Sequence, residues 1–285
     1  MLDYGFEYWL TEEQIGYYRS FLVNEERAGA TIEKYLRDIR MFALWLDGRA
    51  VTKESAAQWK NSLLDEGFAP ATVNTKLSAI NSLFAFLRWD GCRVRLLKRQ
   101  RRTFRDASQD LTQEEYSRLL KGAAYGCPEW LALVMESICA TGIRVSEVRY
   151  ITVEALRAGR ADVSLKGKIR TILLPDRLCR KLLKYAKTKK IVSGEIFRAE
   201  DGKSLTRYKI WRAMKSLCAK ANVEPSKVFP HNLRHLFATV FYQVTGDIVK
   251  LADVLGHSCV ETTRIYLITT GAEHARQLEQ MGLVS

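Results

Sequence analysis

Nowhere in the 285 residues do apolar side chains run for the roughly 20 consecutive positions that a membrane-spanning helix requires. The opening stretch, Met1 to Gly5, has neither the basic nor the apolar segment of a secretion signal. Cytoplasmic placement, with no membrane partner, is the expectation. Six cysteines (Cys92, Cys127, Cys139, Cys179, Cys218, Cys259) are scattered without one C-x-x-C pair, which speaks against a zinc site and a disulfide framework. Reduced, mostly buried thiols are expected instead. There is no glycine-rich Walker loop and no acidic cluster suited to a metal, so no cofactor is expected. Internal repeats and low-complexity tracts are missing too.

What is present is a folded chain with a strong positive charge. A hydrophobic fraction of 47% and a charged fraction of 27% are those of an ordinary globular protein, which argues against extended disorder. A length of 285 residues is long for one core and comfortable for two. Lys and Arg number 45 against 32 Asp and Glu, a net charge of +13 that suits a polyanion. Anionic membrane or ribosomal RNA would meet the same charge, so composition alone does not choose among them.

From Thr11 to about Trp89 the pattern reads as four helices. Thr11 with Gln14 forms a capping box, with Leu10 placed as a staple. Thr31 is expected to open the second helix, whose apolar face carries Tyr35, Ile39, Phe42 and Trp45. Thr52 caps the third, and Pro70 suits the first turn of the fourth, with Leu77, Ile80, Phe84 and Leu87 along its face. The segment Lys98 to Asp106 is basic and aperiodic, the mark of a linker or of a solvated loop. The reading gives a helical domain over 1–97, a linker over 98–110 and a second domain over 111–285.

The second domain restarts at a capping box, Thr112 with Glu115, and is again mainly helical. Its exception is a β-hairpin over Asp162 to Leu174, with Lys166-Gly167-Lys168 expected in the turn. Further helices are expected at about 176–189, 206–221, 231–244 and 247–255, the last stopped by Gly256. Ser258 with Glu261 would cap a short helix leading to Tyr266.

All four histidines lie after residue 230. His231 and Arg234, three apart, share a helix face just after Pro230, where backbone N–H groups at a helix start point at an anion. Together with Arg144, His257 and a lysine they would form a cage for one phosphate, matching the charge that grows on its oxygens during phosphoryl transfer. Arginine fits because its planar fork binds two oxygens at once. Singly, each residue has an ordinary explanation: Arg144 as the ion-pair partner of Glu147, His231 as a helix-start histidine, Tyr266 as core packing. Their order and spacing carry the argument.

The stretches Ala140–Glu147, His231–His235 and Gly256–His257, with Tyr266, resemble the signature of the tyrosine recombinase (phage integrase) family. The resemblance spans roughly residues 11–285, because the first half is similar to that family's helical core-binding domain. It implies a mainly α protein, a SAM-like helical domain plus a mainly helical catalytic domain with a small β-hairpin, closing as a C-shaped clamp on double-stranded DNA. Tyr266 would attack the scissile phosphate, giving a 3′-phosphotyrosyl link and a free 5′-hydroxyl. Arg144, Arg234 and His257 would stabilise the transition state, and His231 would serve as acid/base or phosphate ligand. Lys166 would protonate the departing oxygen, with Lys168 the alternative. Glu147 would orient Arg144, and His235 would be structural. A phenol with a pKa of about 10 leaves more readily than an alkoxide, so rejoining needs no ATP.

The same resemblance implies a homotetramer acting on two DNA sites through a Holliday junction, with an accessory DNA-bending or excisionase protein as a further partner. Arg99, Arg101 and Arg102 are the candidates for backbone contact in the linker. Residues Ala272 to Met281 read as an amphipathic tail that packs in cis or on a neighbouring protomer. Only ten residues precede Thr11, so the compact form without an added arm-binding domain is expected. Integration and excision of a mobile element is the favoured role. The rivals are a chromosome-dimer resolvase of the Xer kind, a type IB topoisomerase, and a DNA-binding regulator that has kept the fold without the chemistry.

Overall fold

The computed structural model describes residues 7–98, 107–165, 168–199, 201–257, 259–264, 266 and 279–280. The chain divides into two compact units, Met1–Arg101 and Arg102–Ser285.

Four helices build the first unit: α1 (Glu12–Asn24), α2 (Gly29–Leu46), α3 (Lys53–Asp65) and α4 (Pro70–Phe86). Thr11 and Thr52 close reciprocal capping boxes with Gln14 and Ser55, satisfying backbone donors that a helix start leaves open. Pro70 occupies the first turn of α4, where its missing N–H costs nothing. Thr31 does not open α2. The helix begins at Gly29, after Ala28, and Thr31 lies within its first turn. Its amide donates to the Ala28 carbonyl, so the backbone supplies the bond that a side-chain cap would have made. Helical spacing brings Tyr18, Ile39, Phe42, Trp59, Leu77 and Phe84 into one core, with the Phe42 and Trp59 rings 4.9 Å apart.

Two features of this unit lie outside the hydrophobic pattern. Lys76 on α4 reaches Asp38 on α2 at 3.4 Å, with both residues buried and Asp38 Oδ2 left without a hydrogen-bond partner among the described residues. Asn81 and Asn74 on α4 each exchange two hydrogen bonds, of 2.8–3.0 Å, with the backbone of Val94 and Leu97. The amides act like a neighbouring strand and hold the chain against α4 up to Leu97.

The second unit contains α5 (Gln113–Ala123), α6 (Glu129–Thr141), α7 (Val153–Ala158), α8 (Asp176–Thr188), α9 (Arg207–Ala221), α10 (Pro230–Thr245), α11 (Ile248–Leu255) and α12 (Val260–Arg264). A 3₁₀ turn, Val145–Tyr150, follows α6. The hairpin pairs β1 (Arg160–Leu165) with β2 (Lys168–Leu173), antiparallel, from Arg160 opposite Leu173 to Leu165 opposite Lys168. Lys168 therefore opens the second strand instead of sitting in the turn, because the strands run closer to the turn than their β-branched residues indicate. Isolated bridges Thr152–Glu195 and Arg198–Ser204 add extended structure that the sequence pattern did not mark. Leu131, Ile138, Leu182, Ile210, Met214 and Leu233 lie in the core beneath these elements, each worth about 1.5–3 kcal/mol of apolar burial. No described helix is long and apolar enough to cross a membrane.

Candidate active site

Arg144 stands at the start of the 3₁₀ turn, in extended backbone, and is tied to Glu147 twice. Its backbone amide donates to Glu147 Oε2 at 2.8 Å and its Nη1 to Oε1 at 3.0 Å. The carboxylate is 1% exposed while the Arg144 side chain keeps 42%, so the guanidinium is anchored through Nη1 to a buried acceptor while the side chain stays partly open to solvent. Both readings of Arg144, ion-pair partner and phosphate ligand, fit the same geometry.

The helix α10 supplies the next group. It starts at Pro230 without a side-chain cap, and His231, in its first turn, is exposed. Arg234, one turn on, is buried at 2%. Its two Nη groups donate to the carbonyls of Gly142 and Leu255, the latter at 2.8 Å, and its Nη2 also donates to His257 Nε2 at 3.0 Å. Both carbonyls sit at helix ends, where unpaired acceptors and the negative end of the dipole attract a cation. Burial pushes Arg234 down to about 10, helped by repulsion from Arg144 and opposed by its contact with the Tyr266 phenol.

Gly142 ends α6 with a φ of +64°, and a Cβ there would lie 2.5 Å from the Phe237 ring. Gly256 ends α11 with the same φ, and its Cβ would lie 2.5 Å from Arg170 Cδ. Both positions thus need glycine for conformation and for space.

His257 follows Gly256. A guanidinium only donates, so Nε2 accepts from Arg234, and the ring proton sits on Nδ1, which donates to Thr263 Oγ1 at 2.8 Å. Burial, and then Arg234, Arg144 and Arg170, push the imidazole down to about 4. Tyr266 closes the group. Its ring is 6% exposed, parallel to His257 at 5.9 Å, edge-on to His235 at 4.9 Å and 6.3 Å from His231. Ala238, Leu251 and Leu255 pack on it as well.

Arg144, His231, Arg234, His257 and Tyr266 thus lie together, drawn from segments spread over more than a hundred residues of the chain. Lys166 lies outside the described residues, as do Arg99, Arg101, Arg102, Ser258 and most of the segment Ala272 to Met281. Sequence reading assigned no place to Arg170, whose Nη2 meets Glu147 Oε2 at 2.7 Å. The available signal was period two along β2, which puts Arg170 on the same face as buried Ile172. His235, read as structural, also touches the Tyr266 ring. Three arginines, Arg144, Arg170 and Arg234, act on this site against the one buried carboxylate of Glu147, which leaves a local excess of positive charge, the condition for taking up an anion.

Comparison with known proteins defines the class. The phage integrase family matches residues 109–272, and the N-terminal SAM-like domain of phage integrases matches residues 15–91. The two-domain fold is that of the tyrosine recombinases. The integrase of transposon Tn1549, solved with transposon right end DNA, superposes with a TM-score of 0.71 at 16% identity, covering 95% of this chain and 99% of that one. A lambda integrase dimer bound to a COC′ core site gives a TM-score of 0.71 at 18% identity, covering 91% and 77%. Tyrosine recombinase XerD of Xanthomonas campestris is 29% identical over 85% of this chain and 82% of its own length. Tyrosine recombinase XerA of Pyrococcus furiosus is 26% identical, with 96% of both chains covered. The chain belongs to the phage integrase family, and it is an enzyme of the tyrosine recombinase class.

Proposed function

We propose that this protein cuts and rejoins double-stranded DNA at specific sites through a covalent bond between Tyr266 and a 3′-phosphate. The observation that carries the reading is the placement of Tyr266 against His231, His257 and Arg234 in a cluster rich in positive charge. The Tyr266 oxygen attacks phosphorus as its phenolic proton passes to His231, and the 5′-oxygen leaves, taking a proton from Lys166. Arg144 and Arg234 hold the two non-bridging oxygens, whose charge rises as the fifth bond forms. His231, exposed at the helix start, adds a further donor. His257 must present a proton on Nε2, and an arriving phosphate raises the ring's affinity for one. Reversal by a 5′-hydroxyl from the partner duplex completes exchange with the bond energy conserved.

In the same reading, residues up to Leu97 form the core-binding domain, and α2 and α4 face the major groove. The linker, with Arg99, Arg101 and Arg102, follows the phosphate backbone. Four protomers act on two sites through a Holliday junction, in the cytoplasm, with an accessory DNA-bending or excisionase protein setting direction. A lambda integrase tetramer solved on a Holliday junction supports the assembly. Integration and excision of a mobile element is the role favoured, supported by the transposon integrase likeness. The near full-length match to Xer recombinases favours a second reading, resolution of chromosome dimers.

The test uses a pool of randomised, nicked duplex oligonucleotides. Full-length protein is expected to trap a subset as adducts that survive SDS, and Tyr266→Phe to trap none. Equal behaviour of the two proteins would refute the proposal. Sequencing the trapped subset and searching genomes for it separates element ends from a chromosomal resolution site.

A further inference from the structure

Arg170 ties its own strand to two segments that carry the proposed chemistry. It lies on β2, opposite Val163, with a side chain only 16% exposed. One end of its guanidinium, Nη2, donates to Glu147 Oε2 at 2.7 Å, the carboxylate that also holds the Arg144 backbone and side chain. Nη1 points to the Val254 carbonyl of α11 at 3.4 Å, two residues before the Gly256 turn. The side chain fills the space that a Cβ on Gly256 would need, at 2.5 Å from Cδ and 2.6 Å from Nη1. His257 is the next residue. Burying a guanidinium is costly unless its donors are used, and Arg170 Nε is buried without a hydrogen-bond partner among the described residues. Glu147 is what offsets that cost: burial lowers the Arg170 pKa and the carboxylate works against it.

We propose that Arg170 is a positioning residue. It locks the strand that follows Lys166 and Gly167 in the chain to the carboxylate behind Arg144 and to the turn that presents His257. The inference rests on the recombinase reading given above. Arg170 works through two simultaneous contacts on opposite sides of its planar fork, which a lysine has no means to reproduce. It also works through charge, since it is one of the cations that keep His257 neutral. Geometry and charge therefore predict different behaviour for two substitutions.

Arg170→Gln removes the charge and Arg170→Lys keeps it, and neither spans both acceptors. Oligonucleotides trapped by the wild-type protein serve as substrate, with single-turnover cleavage and duplex binding measured separately. Both variants should bind DNA within about threefold of wild type while cleavage falls, about 100-fold for Gln and at least tenfold for Lys, as for a reacting group misplaced by an ångström. In DNA-free protein, the NMR-observed titration of His257 should move up in Arg170→Gln and stay in Arg170→Lys. Wild-type cleavage by Arg170→Gln, full recovery of rate by Arg170→Lys, or an unmoved His257 titration in Arg170→Gln would overturn the proposal. If the glutamine variant fails to fold, the lysine variant decides by its rate alone. Absence of any adduct with wild-type protein would sink the recombinase reading instead, while the titration would still test the Arg170 contact.

Discussion

Gly142→Ala puts the smallest side chain at the point where α6 ends and α10 passes. The backbone there has a φ of +64°, which costs a residue with a Cβ about 1 kcal/mol. The added methyl would lie 2.5 and 2.6 Å from two carbons of the Phe237 ring and 2.9 Å from a Leu255 methyl, so both must move. Overpacking of that kind costs about 1–3 kcal/mol, and the sum is about 2–4 kcal/mol. For a domain of this size that lowers Tm by roughly 5–15 °C. Function should suffer separately. The Gly142 carbonyl accepts from Arg234, and the Leu255 carbonyl accepts from the same guanidinium. Displacing both by about an ångström should lower cleavage about 100-fold. Thermal unfolding by circular dichroism and single-turnover cleavage at 20 °C, well below the new midpoint, would measure the two effects. A Tm within 2 °C of wild type together with unimpaired cleavage would refute the steric argument.

Acid should destabilise the second unit through His257. Its folded pKa, about 4, lies below the ordinary value of 6.5, so the unfolded chain binds the extra proton first. Stability from this group is complete above pH 6.5 and is lost as pH falls towards 4; with water screening a half-buried ring, about 1–2 kcal/mol disappears. Urea melts at pH 4 and pH 7 of wild type and His257→Gln should differ by that amount, and equal pH slopes would contradict it. In the first unit, Lys76→Met alone leaves Asp38 buried and should cost about 3–5 kcal/mol, whereas adding Asp38→Leu should recover most of it. Additive losses in the double variant would show that the pair does not act as one.

The helices were legible because threonines with a partner three residues on, as at Thr11, Thr52 and Thr112, satisfy the helix start locally. Thr31 misled because a threonine before an apolar face looks like a cap, yet the residue three on is Lys34, and α2 starts two residues earlier through backbone bonds alone. The motifs around Arg144, His231 and His257 were readable as short patterns, and the fold brings them together with Tyr266. Arg170 was not readable. Its partners, Glu147 and Val254, are 23 and 84 residues away, and only the pairing of β1 with β2 aims it at them. The Lys76–Asp38 pair and the asparagines that hold Val94 and Leu97 escaped notice likewise, since polar residues on a helix read as solvated until packing covers them.

The most direct measurement is mass spectrometry of the protein–DNA adduct after protease and nuclease digestion. The predicted result is a single modified peptide carrying a 3′-phosphonucleotide on the Tyr266 oxygen. A nucleotide on any other residue, or a 5′-phosphate link, would contradict the mechanism.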